Sequence, residues 1–207
     1  MKKILWVVPD FPFPPNHGGR FDIYRRIINV QNKGYWIHLL TTVKSLPAVG
    51  DLIEAQKYVQ KLDFVVRAHG LSAVLRGLPH QVASRSGLRK SNLVDHYDLV
   101  ILESELVGEL LRNPSLSFSK IVLRIHNDER TYYKNLSKSV RIGLKWAYFI
   151  HEMIAFGGYS KKIKRKVKHN WHISKDEARQ ELDQYDGVEH VPTPFNLQVS
   201  AKESRIS

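Results

Sequence analysis

Two short stretches hold the side chains best suited to chemistry, and each follows an apolar run. After Ile4 to Val8 comes Pro9-Asp10-Phe11-Pro12-Phe13-Pro14-Pro15-Asn16-His17-Gly18-Gly19-Arg20. Glycines directly ahead of a helix leave its first backbone N–H groups bare, and with the helix dipole these make an anion site. Asn16, His17, Gly18, Gly19 and Arg20 are therefore a candidate phosphate loop. The alternative stays open that Gly18-Gly19 only makes a tight strand-to-helix turn. The pattern is not G-x-G-x-x-G and lacks the Gly-Lys-Ser/Thr of a P-loop.

The second stretch follows Lys120 to Ile125 and reads His126-Asn127-Asp128-Glu129. An imidazole at a strand end can hydrogen-bond a sugar hydroxyl or a phosphate oxygen near neutral pH, which makes His126 the candidate catalytic residue. Asn127 and Glu129 join it at the cleft edge. Asn127 or Asp128 equally suits the N-cap of a helix continuing through Tyr132 and Tyr133.

A third feature is electrostatic. The chain of 207 residues has a formal net charge of +12, and Ser160 to His169 is its densest basic run. As a helix it places Lys161, Lys164, Arg165 and Lys168 along one stripe, behind the aromatic segment Trp146 to Ile150. A basic residue near an anionic bilayer contributes about 1 kcal/mol, so the stripe reads as a peripheral membrane contact. A solvated helix face and a nucleic-acid footprint are the competing readings. No reader motif and no aromatic-interleaved platform is present, so no nucleic acid is expected.

Other chemistry is missing from the sequence. There is no cysteine, no H-E-x-x-H and no G-x-S-x-G. His169 and His172 are three apart, but the first ends the lysine-rich helix and the second lies in an apolar strand. No metal site and no nucleophile is assigned. The absence of cysteine fits a reducing compartment, and the apolar run Ile4 to Val8 is too short for a signal peptide or a spanning helix. A cytoplasmic location is expected, peripheral to the membrane's inner face if the basic stripe binds lipid.

The elements that must position these residues alternate. Apolar runs at Lys3–Val8, Tyr35–Leu40, Phe64–Val66, Asp98–Leu102, Lys120–Ile125, Asn170–Ile173 and Val188–Val191 read as strands. Between them lie a helix from Gly19 with Phe21, Tyr24, Ile27 and Ile28 on its apolar face, and one starting near Asp51. Further helices span Glu105–Leu111 and follow a cap at Ser174. This predicts an α/β fold: a single Rossmann-like doubly wound domain over residues 1–191, with a mostly parallel sheet of about six or seven strands. Residues 192–207 are expected to begin a linker or a disordered tail. Ligands collect at the C-terminal strand ends of such sheets, so the glycine loop and His126 should face one cleft.

In order and spacing, Pro12 to Arg20, then Arg124 to Glu129 with Tyr132-Tyr133, then His172 to Glu177 resemble the N-terminal domain of family-four-like bacterial glycosyltransferases of GT-B architecture. Val191-Pro192-Thr193-Pro194-Phe195-Asn196 is similar to that family's interdomain segment. The resemblance implies an acceptor-binding domain of a sugar-nucleotide-dependent enzyme of cell-surface polysaccharide or glycolipid synthesis. It casts Gly18 and Gly19 near donor phosphates or acceptor, and His126 against the donor sugar. It also implies a sugar nucleotide as co-substrate with no other cofactor, a saccharide or lipid-linked acceptor, and a membrane-facing basic helix. The paired acidic motif and the donor-binding domain are expected from a C-terminal domain or partner chain, without which this chain is expected to be inactive. The alternative is a non-catalytic membrane-docking subunit of a split glycosyltransferase.

Overall fold

The computed structural model describes residues 1–16, 18–68 and 77–193. His17 and Pro194 to Ser207 therefore lie outside the described residues, and with them the end of the interdomain-like segment.

The chain runs β1 (Lys3–Val8), α1 (Gly18–Gln31), β2 (Trp36–Val43), α2 (Val49–Gln56) and β3 (Lys61–Val66). After α3 (His80–Ala83) and a 3-10 helix at Ser86–Lys90 come β4 (His96–Glu103), a second 3-10 helix at Glu105–Arg112 and β5 (Ser117–Ile125). The hairpin of α4 (Glu129–Lys138) and α5 (Leu144–Val167) leads to β6 (Asn170–His172), α6 (Lys175–Glu181) and β7 (Val188–His190). The seven strands form one sheet in the order β3-β2-β1-β4-β5-β6-β7. Every pairing is parallel. This is the doubly wound, Rossmann-like arrangement that the alternation of elements predicts.

The register explains why the central strands read as unbroken apolar runs. Trp6 pairs with Leu39 on one side and Ile101 on the other. With Ile23 and Ile27 these belong to the cluster beneath α1 and α2. Leu5, Val7, Val100, Leu102 and Leu123 point the other way and pack with Phe156, Tyr159 and Ile163 of α5. Both faces are covered, so no polar alternation survives in the sequence.

The face of α1 differs from the expected one. Ile23 and Ile27 are buried, whereas Phe21 is 43% exposed and carries the Arg25 guanidinium 5.2 Å from its ring centroid. Asp22 takes a buried place instead, because an arginine on β5 neutralises it. Caps follow chemistry more closely. Asp128 accepts from the N–H groups of Arg130 and Thr131 at the start of α4, and Ser174 accepts from Glu177 N–H at the start of α6.

The turn before β7 depends on one glycine. Gly187 has φ +61°, and a Cβ there would lie 2.0 Å from the carbonyl oxygen of Lys168. Gly187→Ala is expected to lower stability by more than about 1 kcal/mol, measured as the shift in urea midpoint at unchanged slope.

Candidate functional site

The strand order reverses between β1 and β4, since β1 leads to β2 on one side while β4 leads to β5 on the other. The crevice outside the carboxyl ends of such strands is where open α/β sheets bind ligands. A cavity of about 170 Å³ lies there, lined by Asp10 after β1, Gly19 and Arg20 at the start of α1, Glu103 and Ser104 at the end of β4, and His126, Asn127 and Glu129 after β5. The two stretches singled out in the sequence thus share one pocket. A neighbouring cavity of about 390 Å³ shares Asp10 and Arg20 with it and extends over Phe11, Phe13, Lys44, Asp51 and Arg67.

α1 begins at Gly18, and Gly19 and Arg20 of its first turn line the pocket while Gly18 does not. A Cβ on Gly18 would meet nothing within 4 Å. Packing within the described residues therefore does not demand glycine at that position, and the space above it is open. Arg20 is held to Asp10 at 2.6 Å and also donates to Asn16 Oδ1 at 3.3 Å. Asn16 itself is exposed and lies outside the pocket lining.

His126 is not a lone histidine. Its Nε2 lies 2.7 Å from Oε2 of Glu103, and the Glu103 side chain is completely buried. The other oxygen, Oε1, accepts from Trp6 Nε1 at 2.8 Å and from Arg26 Nη1 at 2.5 Å. Arg26 also sits over the Trp6 ring, 5.1 Å from its centroid. On β5, in register with Glu103, Arg124 binds Asp22 at 2.9 Å and lies 3.5 Å from Glu103. Two carboxylates and two guanidinium groups balance each other, which is what burial of charge requires.

Burial opposes ionisation of Glu103, but Arg26 and the hydrogen bond from His126 outweigh it and hold the carboxyl at about 2. An ionised carboxylate only accepts hydrogen bonds. Nε2 of His126 is therefore the nitrogen that donates, which leaves Nδ1 as the ring nitrogen turned away from Glu103. No hydrogen bond to Nδ1 occurs among the described residues, and it is not among the buried unpartnered atoms. The ring is held in one orientation at the pocket.

Asp22, Glu103 and His126 offer ligand atoms within 4.8 Å of one another. Arg26 and Arg124 already supply the positive charge at both carboxylates, so the cluster is built as an ion-pair network rather than a cation site.

Two further features line the pocket. Ser104 has φ +119° and ψ 152°, a conformation that costs a non-glycine residue about 1–3 kcal/mol, and its hydroxyl accepts from Leu106 N–H. Glu129 is pushed up to about 7 by burial and by the carboxylate of Glu105. A carboxyl raised in the fold binds its proton more tightly there than in the unfolded chain. Its stabilisation is complete below the ordinary value of 4.5 and is lost as pH rises through about 7. Glu129→Gln is expected to flatten that part of the stability curve, as read by thermal unfolding across the same pH range.

Of Glu103, Arg26, Arg124 and Asp22, only Arg124 falls in a stretch that carries the family resemblance. The signal that betrays them is a charge inside an apolar strand: Glu103 closes Leu99-Val100-Ile101-Leu102, and Arg124 interrupts Ile121 to Ile125.

The basic stripe is only partly as expected. Lys161, Arg165 and Lys168 are exposed, with Lys168 in the left-handed conformation at φ 59° at the C-cap of α5. Lys164 is 5% exposed and is not a membrane contact. It is clasped by Glu181 at 2.6 Å and Glu105 at 3.4 Å, and Ser160 donates to Glu105 as well. Helical spacing alone placed it on the stripe, whereas the buried carboxylates draw it inward. Among the described residues no helix is long and apolar enough to cross a membrane.

No family model matches the chain. A curated protein of Klebsiella pneumoniae, described as an uncharacterized 44.6 kDa protein in cps region, is 36% identical over 208 residues, covering 94% of this chain and 52% of that protein. Among solved structures, a complex between a UDP-glucosyltransferase from Polygonum tinctorium and 3,4-dichloroaniline aligns at 10% identity and a TM-score of 0.49, over 98% of this chain and 54% of the other. Phytolacca americana UGT2 complexed with UDP-2fluoro-glucose and pterostilbene aligns at 10% identity and a TM-score of 0.48, over 96% and 55%. The chain spans about half the length of the curated protein it matches.

Proposed function

We propose that this chain is the acceptor-binding half of a sugar-nucleotide-dependent glycosyltransferase that acts in cell-surface polysaccharide or glycolipid synthesis. The observation that carries the reading is the His126–Glu103 hydrogen bond of 2.7 Å in a pocket that also receives the first turn of α1. Moving a sugar from a diphosphate to a hydroxyl needs a place for anionic oxygens and a group that accepts the hydroxyl's hydrogen, held close together. The N–H groups of the first turn of α1, where Gly19 and Arg20 line the pocket, suit the first need. Nδ1 of His126 suits the second. Asn127 and Glu129 border the same space.

The order of sequence motifs supports this reading, as does the likeness to a protein of a cps, or capsule polysaccharide, region. The donor nucleotide would be held mainly by residues outside this chain, with the sugar nucleotide as co-substrate and no other cofactor.

A titration of the isotope-labelled chain with sugar nucleotides and with oligosaccharide acceptors, followed by amide NMR, tests the site. Gly19, Arg20, Asn127 and Glu129 are expected to shift together and saturably with at least one ligand. Silence at these four amides across the panel, or saturable shifts confined to another face, would overturn the assignment.

A further inference from the structure

We propose that the tip of the α4–α5 hairpin, continued by the outward face of α5, is a docking surface for an anionic lipid bilayer. Ile142 and Leu144 flank the tip and are 86% and 93% exposed. Single exposed apolar residues are ordinary, but two such side chains within three positions need a reason. Cations flank them: Arg141 and Lys145 adjoin the tip, Lys138 and Lys134 lie on the part of α4 that leads to it, and residues 130–151 contain no aspartate or glutamate. All four are exposed. Apolar side chains that enter the acyl boundary, ringed by bases that meet phosphate headgroups, are the chemistry of an interfacial contact.

The surface extends along α5. Ala147, Ile154 and Lys161 are seven apart and Arg165 follows four later, so they share one side of the helix, and all four are exposed. The apolar part lies next to the tip and the basic part beyond it. Geometry also places the tip. Arg130, in the first turn of α4 just after β5, packs 3.4 Å from the position a Cβ of Gly157 would take, and Tyr133 stacks on Phe156. The stretch from Leu144 to Gly157, roughly 20 Å long at about 1.5 Å per residue, therefore projects past the carboxyl ends of the strands. That is the end of the domain that holds the His126 pocket, although the surface stands independently of the chemistry there.

The native chain has no cysteine, so one introduced thiol can be labelled uniquely. A polarity-sensitive dye at Leu144→Cys is expected to shift to the blue with phosphatidylglycerol-containing vesicles and not with phosphatidylcholine alone. The same dye at Val94→Cys, exposed before β4, should not respond. In co-sedimentation with the same vesicles, Ile142→Ser with Leu144→Ser should weaken binding about tenfold or more, and Lys161→Gln with Arg165→Gln about tenfold. Melting temperatures should stay put, since these side chains are exposed. Equal binding by the serine pair, or no blue shift at position 144 on either vesicle, would overturn the proposal. So would a lipid-independent self-association that the serine pair abolishes, which would make the tip a contact between copies of the chain.

Discussion

Arg124→Met is expected to cost the domain about 3–5 kcal/mol of stability, the range for removing one partner of a buried ion-pair network. Arg124 is completely buried and sits on the interior strand β5, next to β4. It neutralises Asp22 at 2.9 Å, donates to the carbonyl of Val191 at 3.0 Å and flanks Glu103. Methionine fills much of the volume and leaves Asp22 buried with no counter-charge. The companion Asp22→Leu removes the other partner, and the double variant should recover a large part of the loss because no orphaned charge remains. Urea unfolding of the four proteins measures the coupling. A single-variant loss below about 1 kcal/mol would mean that the network is not a structural element of the fold.

Acid behaviour should follow from the same cluster. Glu103 is held at about 2, below its ordinary value of 4.5. A carboxyl lowered in this way contributes stability that is fully present above its unfolded value and is lost as pH falls through the folded one. The loss should therefore develop between about pH 4.5 and 2.

The second large effect concerns turnover. On the proposed function, His126→Ala is expected to lower kcat by about 10²–10⁴, the usual contribution of a positioned proton acceptor, while the melting temperature falls only modestly, because Trp6 and Arg26 still bond Glu103. On the same reading Glu103 is a positioning residue that would act through that ring. Glu103→Gln keeps the shape, but an amide nitrogen turned toward His126 would favour the other tautomer and remove the lone pair from the pocket. A carboxylate-to-amide change behind a catalytic imidazole costs up to about 10⁴ in kcat by that route. The variant should also be less stable, since Arg26 and Arg124 lose their shared carboxylate. The distinguishing readout is the pH profile together with a kcat rather than KM effect. A purely structural role would lower the amount of folded enzyme and leave both unchanged per folded molecule.

Much of the fold was legible because parallel strands announce themselves: Lys3–Val8 and Lys120–Ile125 have no polar alternation, and only a sheet covered on both faces buries such runs. The glycine loop and His126 were legible because each follows a strand directly, and strand ends on one edge of a sheet converge. What supports His126 was not. Hydrophobic patterning reports which positions are buried, but not which charges meet across strands, so Glu103 and Arg124 read as edges of apolar runs rather than as partners. Arg26 lies outside the apolar face that the spacing of Phe21, Tyr24, Ile27 and Ile28 defines, although it folds over Trp6 onto Glu103. Lys164 failed in the same way, because periodicity placed it outward while Glu105 and Glu181, far apart in sequence, hold it inside.

The most direct test of the transferase reading is transfer itself. The protein, purified from its own cells with any chains that accompany it, is supplied with labelled sugar nucleotides and surface-glycan precursors. Label should pass to an acceptor, and His126→Ala should abolish most of that transfer while remaining folded at the assay temperature. Transfer undiminished in His126→Ala, or no transfer from any sugar nucleotide to any such acceptor, would contradict the account.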